Sequence, residues 1–594
     1  MDFEFPYVSS PTEVQEGIAR DLAQQRQALA VAMAEIQRLK TYWNTTSLVS
    51  RLPPELLVRI FVTYATLVKD EYYQYRSILG PITCHDRIVV KPYSWIRVTH
   101  VCRQWRDVAL QHPILWSWIV EAPGDWVKTM LGRCGQAGLT VDTQPASLFW
   151  RVNEQYWKLN WRSLSALQAI YNHWNHIEEA KVMLGTGHPR LWDVEAPLLC
   201  SLDVASTLPE GGEKHQLLFK AGGTPSLKEL IWSNSLQWSL ISPLLNPQLE
   251  VLKVQTRKPT SPISTAMWFS ALRNMPCLRS LSLRSVVGGG FSHSSDPQSL
   301  SLPHLRNLEL GTMPSHISGP SLPCGGEASV FAAMNTPDNV KVAYKIKCGL
   351  SDECLDSIAA TLSSLAARKR VRSMNLRCID GDVDWTFSRS STPKKEPTEG
   401  EDDMFVRIWS WPADPFRISE RLSSSIVVPD TLSMRVEVQS YNHDVIRMQP
   451  HGNIPSTKRT LANALRGGPN VRTLVIVGDQ SLETLPTALT TQSAMSSSQS
   501  SAASRFVMPG LQDLTLERAL WKEKGRVNER PNAPSSFVNA LVKSLAARRE
   551  KGSKLATLRI RQGSAITQAD VDYIKRSQCV DLVDWDGGSN TALR

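Results

Sequence analysis

The chain has 594 residues, too many for one hydrophobic core, so several domains' worth of sequence or a repeat array is expected. Its apolar content of 42% allows a sizeable core, and its formal net charge of +10 is spread along the chain with no zinc finger or other basic recognition motif, which argues against a nucleic-acid partner. No stretch reaches ~18 consecutive apolar residues, so no membrane-spanning helix is expected. The ten cysteines lack a Cys-x-x-Cys or a zinc-like spacing, which suits free thiols in a reducing compartment and predicts no metal site. The start, Met1-Asp2-Phe3-Glu4-Phe5, lacks a basic region followed by an apolar run, and a soluble cytoplasmic or nuclear protein is expected.

In chain order, residues 1–10 read as a flexible tail and 11–47 as an amphipathic helix. Within that helix Ile18, Leu22, Gln25, Leu29, Ala32, Ile36, Leu39 and Trp43 alternate four and three apart, the spacing of a coiled-coil seam. Packing of this helix back onto the following domain and self-association both stay open. Residues 48–120 form the next unit. Pro53 and Pro54 suit the first turn of a helix, where a missing amide hydrogen costs nothing, and Leu56, Leu57, Ile60 and Phe61 follow at helical spacing. Val98, Val101, Cys102, Trp105 and Val108 give a second one-sided helix, with Cys102 expected buried in it, and Pro113 stops it before Trp116. Between them, Tyr72, Tyr73, Tyr75, Pro81 and Pro92 read as an inserted loop over about 67–94.

Leu52-Pro53-Pro54-Glu55-Leu56-Leu57, followed by Val101-Cys102-Arg103-Gln104-Trp105-Arg106 and Pro113-Ile114-Leu115-Trp116, resembles an F-box. The usual F-box joins its two elements by a much shorter segment than the one separating Phe61 from Cys102 here. The resemblance implies a docking surface for the Skp-type adaptor of a cullin-RING ubiquitin ligase. It places Leu52, Pro53, Leu56, Leu57, Ile60, Phe61, Val98, Val101, Cys102 and Trp105 in the adaptor-binding role.

Beyond residue 120, Trp126–Cys134 reads as a helix, and Leu139–Val141, Leu148–Val152 and Ala180–Leu184 as strands. A pattern Pro-x-Leu-x-x-Leu-x-apolar then starts at Pro197, Pro225, Pro247, Pro276 and Pro303, with prolines 28, 22, 29 and 27 residues apart. A period in the twenties with a short Leu-x-Leu strand per unit is what leucine-rich repeats require. Weaker copies lie at Val371-Met374-Leu376, Val471-Leu474-Ile476, Leu511-Leu514-Leu516 and Leu555-Leu558-Ile560. Helical runs are read at Ala266–Met275, Leu355–Leu365, Lys458–Leu465 and Phe537–Leu545. The identical segments Ser364–Arg368 and Ser544–Arg548 each precede a candidate strand, arguing for a helix–strand unit, and the cations ending these helices complement the helix dipole. Repeats are thus expected over 121–378 and, more irregularly, over 406–594, with disordered insertions at 379–405 and in the Ser-rich 490–504.

The expected fold is an α-helical N-terminal segment and F-box, followed by an α/β leucine-rich-repeat-like solenoid with a curved parallel sheet. Residues alternating with the inward leucines face the other way. Asp203, Glu229, Ile231, Lys253, Gln255, Ser282, Arg284, Asn307 and Glu309 are therefore the candidate partner-binding row. No phosphate loop, dinucleotide fingerprint, zinc-protease motif or nucleophile elbow is found, so no catalytic residues and no cofactor are expected. The reading that follows is a non-catalytic substrate-recognition subunit of a ubiquitin ligase, its F-box on a Skp-type adaptor and its repeats on a protein substrate. Two others stay open: a repeat scaffold without a ligase role, and a nucleic-acid-associated basic protein.

Overall fold

The fold was obtained as a computed structural model. It describes residues 10–78, 91–120, 124–144, 169–184, 194–206, 219–220, 222–256, 263–288, 300–311, 339–347, 352–379, 382–390, 404–409, 430–438, 470–478, 485–490, 508–518, 535–563 and 566–587, with a few single positions between them. The tail 1–9, the strand expected at 148–152, most of the helix expected at 458–465 and residues 491–504 lie outside the described residues. The chain divides into two compact units, one of residues to Val182 with Ala196–Leu199, the other of Met183–Glu195 and Cys200 onward.

The first unit begins with helix α1, Pro11–Thr46. Ser10 caps it: its Oγ accepts from the Glu13 amide (3.3 Å), while the Glu13 carboxylate accepts from the Ser10 amide (2.9 Å), a reciprocal arrangement that satisfies two otherwise orphaned donors. Helix α2 covers Pro54–Ile78. It therefore runs through residues 67–78, where a loop was expected. The period continues, with Leu57, Phe61, Val68 and Tyr72 buried on one side, and no Gly or Pro interrupts the helix before Gly80 and Pro81. Its second half packs on a small parallel sheet. Trp118 of β1 (Trp118–Val120) donates its indole N–H to the Tyr73 hydroxyl (3.4 Å), and Lys181 of β3 (Ile177–Leu184) sits 3.8 Å from the Tyr73 ring centre. Strand β2, Leu139–Asp142, pairs in parallel with both.

The second expected helix is divided. Ser94–His100 forms a 3-10 helix carrying Val98, Val101 follows it, and α3 is Arg103–Gln111 with Cys102 as its N-cap. Cys102 is half-buried there, not enclosed in a helix. Pro113 opens a further 3-10 turn to Trp116, and α4 follows at Gly124–Cys134.

In the second unit the five Leu-x-Leu segments are strands: β4 (Ser201–Ser206), β5 (Glu229–Asn234), β6 (Val251–Gln255), β7 (Ser280–Arg284) and β8 (Asn307–Gly311). The proline before each has a mechanical role. The amides of Leu227, Leu249, Leu278 and Leu305 donate to the carbonyls of Thr224, Asn246, Met275 and Leu302, so Pro225, Pro247, Pro276 and Pro303 each hold the second position of a four-residue turn, for which their fixed φ is suited. The register then aligns Leu202, Leu230, Leu252, Leu281 and Leu308 in one lateral row and Val204, Trp232, Val254, Leu283 and Leu310 in the next. All ten are at most 1% exposed, each such side chain contributing about 1.5–3 kcal/mol by leaving water.

Further strands are β9 (Lys341–Lys347), β10 (Ser373–Ile379), β11 (Asp382–Ser388), β12 (Met404–Trp409), β13 (Ser433–Val438), β14 (Thr473–Val477), β15 (Asp513–Glu517), β16 (Leu555–Arg561) and β17 (Val580–Trp585). Pairing runs β4 to β9 in chain order, then β12, β11 and β10, then β13 to β17. All of these pairs are parallel except those of β11, which is antiparallel to both neighbours. Within 379–405, where a disordered insertion was expected, residues 382–388 are a strand in a hairpin with β10 and Met404 opens β12, while 391–403 lie outside the described residues. Asp380-Gly381 between paired Ile379 and Asp382, followed by alternating Val383, Trp385 and Phe387, is the signal for that hairpin.

The unit's longer helices among the described residues are α5 (Thr265–Arg273), α6 (Asp352–Lys369), α7 (Leu485–Thr490), α8 (Ser536–Glu550) and α9 (Gln568–Arg576). The two identical segments end α6 and α8, ahead of β10 and β16. One buried cation at the end of each helix does more than complement a dipole. Arg548 is 1% exposed and donates to the carbonyls of Met508 (2.7 Å) and Leu489 (3.4 Å), and Lys369, 3% exposed, donates to the carbonyl of Val340.

Candidate functional site

Helix α2 carries two adjacent apolar stripes. Leu57 and Phe61 are buried (0% and 1% exposed), whereas Leu56 and Ile60, each one residue away, are 45% and 49% exposed. With 3.6 residues per turn, a one-residue step rotates a side chain by ~100°, which is how neighbours in sequence serve different sides. The inner stripe meets α3: the Phe61 and Trp105 rings lie 5.0 Å apart with a tilt of 57°, a favourable aromatic geometry. The outer stripe continues through Tyr64 and Leu67, and Val101 and Ile114 are also exposed.

An aromatic core holds these elements. The Trp95 and Trp116 rings meet edge to face at 5.2 Å, and the Trp116 indole donates to the Ala109 carbonyl (2.9 Å), tying the turn after Pro113 to α3. The Arg106 Nε donates to the Thr99 carbonyl (2.9 Å), fastening the start of α3 to the 3-10 helix before it. The Cys102 Sγ accepts from the Trp105 amide at 3.5 Å, a weak N-cap in a position that oxygen-bearing side chains fill better. Of the ten residues expected at the adaptor interface, Leu57, Phe61 and Val98 are buried in the domain, Leu52, Cys102 and Trp105 are half-buried, and Pro53, Leu56, Ile60 and Val101 are exposed.

This segment has a family counterpart. Residues 49–121 match the family model described as F-box-like. The F-box-like domain therefore includes α2, α3, the aromatic core and β1. No curated protein matches the chain. Tyr64, Leu67 and Ile114, which extend the exposed apolar surface of the F-box-like domain, were not singled out from sequence. Continuing the steps of three and four residues from Leu56 would have reached the first two.

In the second unit the register collects the expected partner row. Asp203, Ile231, Lys253, Ser282 and Glu309 stand side by side on β4 to β8. Glu229 and Asn307 lie in the lateral row before them, Gln255 and Arg284 in the row after. Lys253 and Asn307 are exposed, but Ser282 is buried. Glu309 is engaged by its neighbours: it accepts from Lys345 Nζ (2.6 Å), Ser282 Oγ (3.1 Å) and Arg284. Burial pushes the Glu309 carboxyl up, yet its hydrogen bond to Lys345 and the charges of Arg284 and Lys345 outweigh that and hold it below the usual carboxylate range.

The same face continues into a set of ion pairs. Arg435 meets Glu517 at 3.0 Å, Glu437 accepts from Arg518 at 2.8 Å and faces Arg377 at 3.7 Å, and Arg559 faces Asp513 at 3.4 Å. Arg435 and Glu437 are 6% and 4% exposed, so this part of the sheet spends its polar groups on itself. The exposed members of the row lie among β4 to β8. Among the described residues no group of three or more His, Cys, Asp or Glu side chains could hold a metal ion, and no helix is long and apolar enough to cross a membrane.

Proposed function

We propose that this protein is the substrate-recognition subunit of a cullin-RING ubiquitin ligase, with its F-box-like domain docked on a Skp-type adaptor and its large sheet region holding a protein substrate. The observation that carries the reading is an F-box-like match over residues 49–121 whose α2 presents an uncovered apolar stripe, Leu56, Ile60, Tyr64 and Leu67, beside the stripe that builds the domain's own core. Exposed apolar side chains contiguous along a helix are the usual mark of a helix-in-groove or helix-on-helix interface. In this reading the repeats are leucine-rich and stack as a solenoid, and the accessible members of the row on β4 to β8, the exposed Lys253 and Asn307 and the half-buried Asp203 among them, contact the substrate. The protein contributes no catalytic group. It brings substrate and ubiquitin-charged enzyme into one complex, so its effect is proximity. Its location is cytoplasmic or nuclear.

A reconstituted ligase tests this. Full-length protein added to adaptor, cullin and RING subunits is expected to direct ubiquitin onto a partner captured through residues 200–311, and Leu56→Asp/Ile60→Asp protein is expected to bind that partner without directing transfer. Transfer unaffected by the double substitution would contradict the proposal.

One observation favours a second reading, a repeat scaffold without ligase function. Helix α2 runs to Ile78 and packs its extension on β1 to β3, a feature that the usual short F-box linker has no room for. A folded protein that captures a partner but not the adaptor would establish the scaffold reading.

A further inference from the structure

Helix α1 is 36 residues long and buries none of them. Helices of ordinary composition are marginal alone and gain most of their stability in proteins from packing an amphipathic face, and α1 has such a face uncovered: Ile18, Leu22, Leu29, Ile36 and Leu39 are 47–61% exposed. The groove that α1 shares with Arg103 of α3 is lined by Gln37, Arg38, Thr41 and Thr45 among others, which by helical periodicity lie on the side opposite the apolar seam. The seam therefore points away from the F-box-like domain.

Charge decides what covers it. With Leu22, Leu29 and Ile36 in the first core position of successive heptads and Gln25, Ala32 and Leu39 in the second, the flanking positions on one side are Asp21, Ala28 and Glu35. Those on the other side are Arg26, Met33 and Lys40. In a parallel, in-register pair each residue of the first set meets the residue five further on in the second copy. That gives Asp21 with Arg26, Ala28 with Met33 and Glu35 with Lys40: two attractive ion pairs and one apolar contact on each side of the seam. An antiparallel pair matches each set with itself, acid against acid and base against base. Gln25 points the same way, because in register its amide meets the Gln25 amide of the other copy.

We propose that α1 forms a parallel, in-register two-stranded coiled coil with the α1 of a second copy of this chain, so that the protein works as a dimer presenting two F-box-like domains. Glu35 already holds Arg38 of its own helix at 2.8 Å, and Lys40 of the second copy shares that carboxylate. Only Ser47 to Pro53 separate α1 from α2, so the paired helices hold the two F-box-like domains close to the coiled coil. The inference is independent of adaptor docking, which uses Leu56 and Ile60.

Sedimentation equilibrium of the full-length protein across the micromolar range tests it. Wild-type protein is expected to be dimeric, and Leu29→Lys monomeric with unchanged hydrogen exchange in α2. Glu35→Lys is expected to raise the dimer dissociation constant on the order of tenfold, since it turns two symmetry-related attractions into repulsions, and Glu35→Lys/Lys40→Glu to bring it back. Leu29→Cys is expected to give a covalent dimer under mild oxidation where wild-type protein does not. A monomeric wild-type protein, a dimer insensitive to Leu29→Lys, a double charge exchange as weak as the single one, or no cross-link through Cys introduced at 29 would each overturn the proposal.

Discussion

Replacing Phe61 and replacing Leu56 should have opposite consequences, although both belong to the same two turns of α2. Phe61 is 1% exposed and packs its ring 5.0 Å from Trp105. Truncation to Ala removes a buried aromatic side chain, which costs ~3–5 kcal/mol in a packed core, including ~0.5–1.5 kcal/mol for the ring pair. Leu56 is 45% exposed, and a polar replacement at such a site changes stability by about 0.5 kcal/mol or less. Hydrogen-exchange mass spectrometry separates the two, because it reads α2 and α3 locally within a chain of several cooperative units. With about 1.4 kcal/mol per tenfold change, Phe61→Ala is expected to speed exchange of the protected α2 amides by about a hundredfold or more. Leu56→Asp is expected to leave them within about threefold of wild type while removing adaptor binding. Unchanged protection in Phe61→Ala, or loss of protection in Leu56→Asp, would refute the division of α2 into a structural and a docking stripe.

Three further outcomes are expected. Cys102→Ser supplies a stronger acceptor for the Trp105 amide and should stabilise α3 by about 0.5–1 kcal/mol, read as slower exchange over residues 103–111. Arg548→Met leaves the buried carbonyls of Met508 and Leu489 without their donor; a loss of about 2–4 kcal/mol should appear as a lowered calorimetric transition of the sheet unit, which Arg548→Lys recovers only in part. Glu309 has its folded pKa held down, so it favours the folded state above its unfolded value and loses that contribution as pH falls through the folded value. Urea midpoints should therefore drop less between about pH 6 and about pH 3 in Glu309→Gln than in wild type, and an equal drop would show that the ion pairs with Arg284 and Lys345 do not stabilise the fold.

The strands that were legible in the sequence are those with two concordant signals. Leu202 with Val204, Leu230 with Trp232 and their counterparts combine a period of two with a proline that sets the turn before them, and those strands lie in the expected places. Strands β9, β12, β13 and β17 lack the Pro-x-Leu entry and were missed. Strand β11 was hidden because the Ser- and Pro-rich composition of 388–397 outweighed the clear alternation of Val383, Trp385 and Phe387. The length of α2 was obscured in the same way by a tyrosine cluster that resembles a loop, whereas Tyr72 and Tyr73 face Trp118. At the candidate site, the helix opening at Pro54 was legible in the sequence, the break between the 3-10 helix and α3 at Val101 and Cys102 was not, and neither were the sides of α2. Periodicity groups Leu56, Leu57, Ile60 and Phe61 on one broad stripe, and only tertiary packing shows which half the domain covers for itself. Arg548 and Lys369 were legible as helix-end cations, but their burial depends on carbonyls from segments distant in sequence.

The claim most exposed to test is that the F-box-like domain docks on a Skp-type adaptor through the outer stripe of α2. Isothermal titration of purified adaptor into the full-length protein measures it directly. The full chain is needed because β1 pairs with β2 and α2 leans on β3, so a fragment ending near residue 120 would lose its support. The account predicts one-to-one binding per chain, abolished by Leu56→Asp/Ile60→Asp in a protein whose α2 protection is intact. Absence of binding by folded wild-type protein, or binding that survives the double substitution, would contradict it.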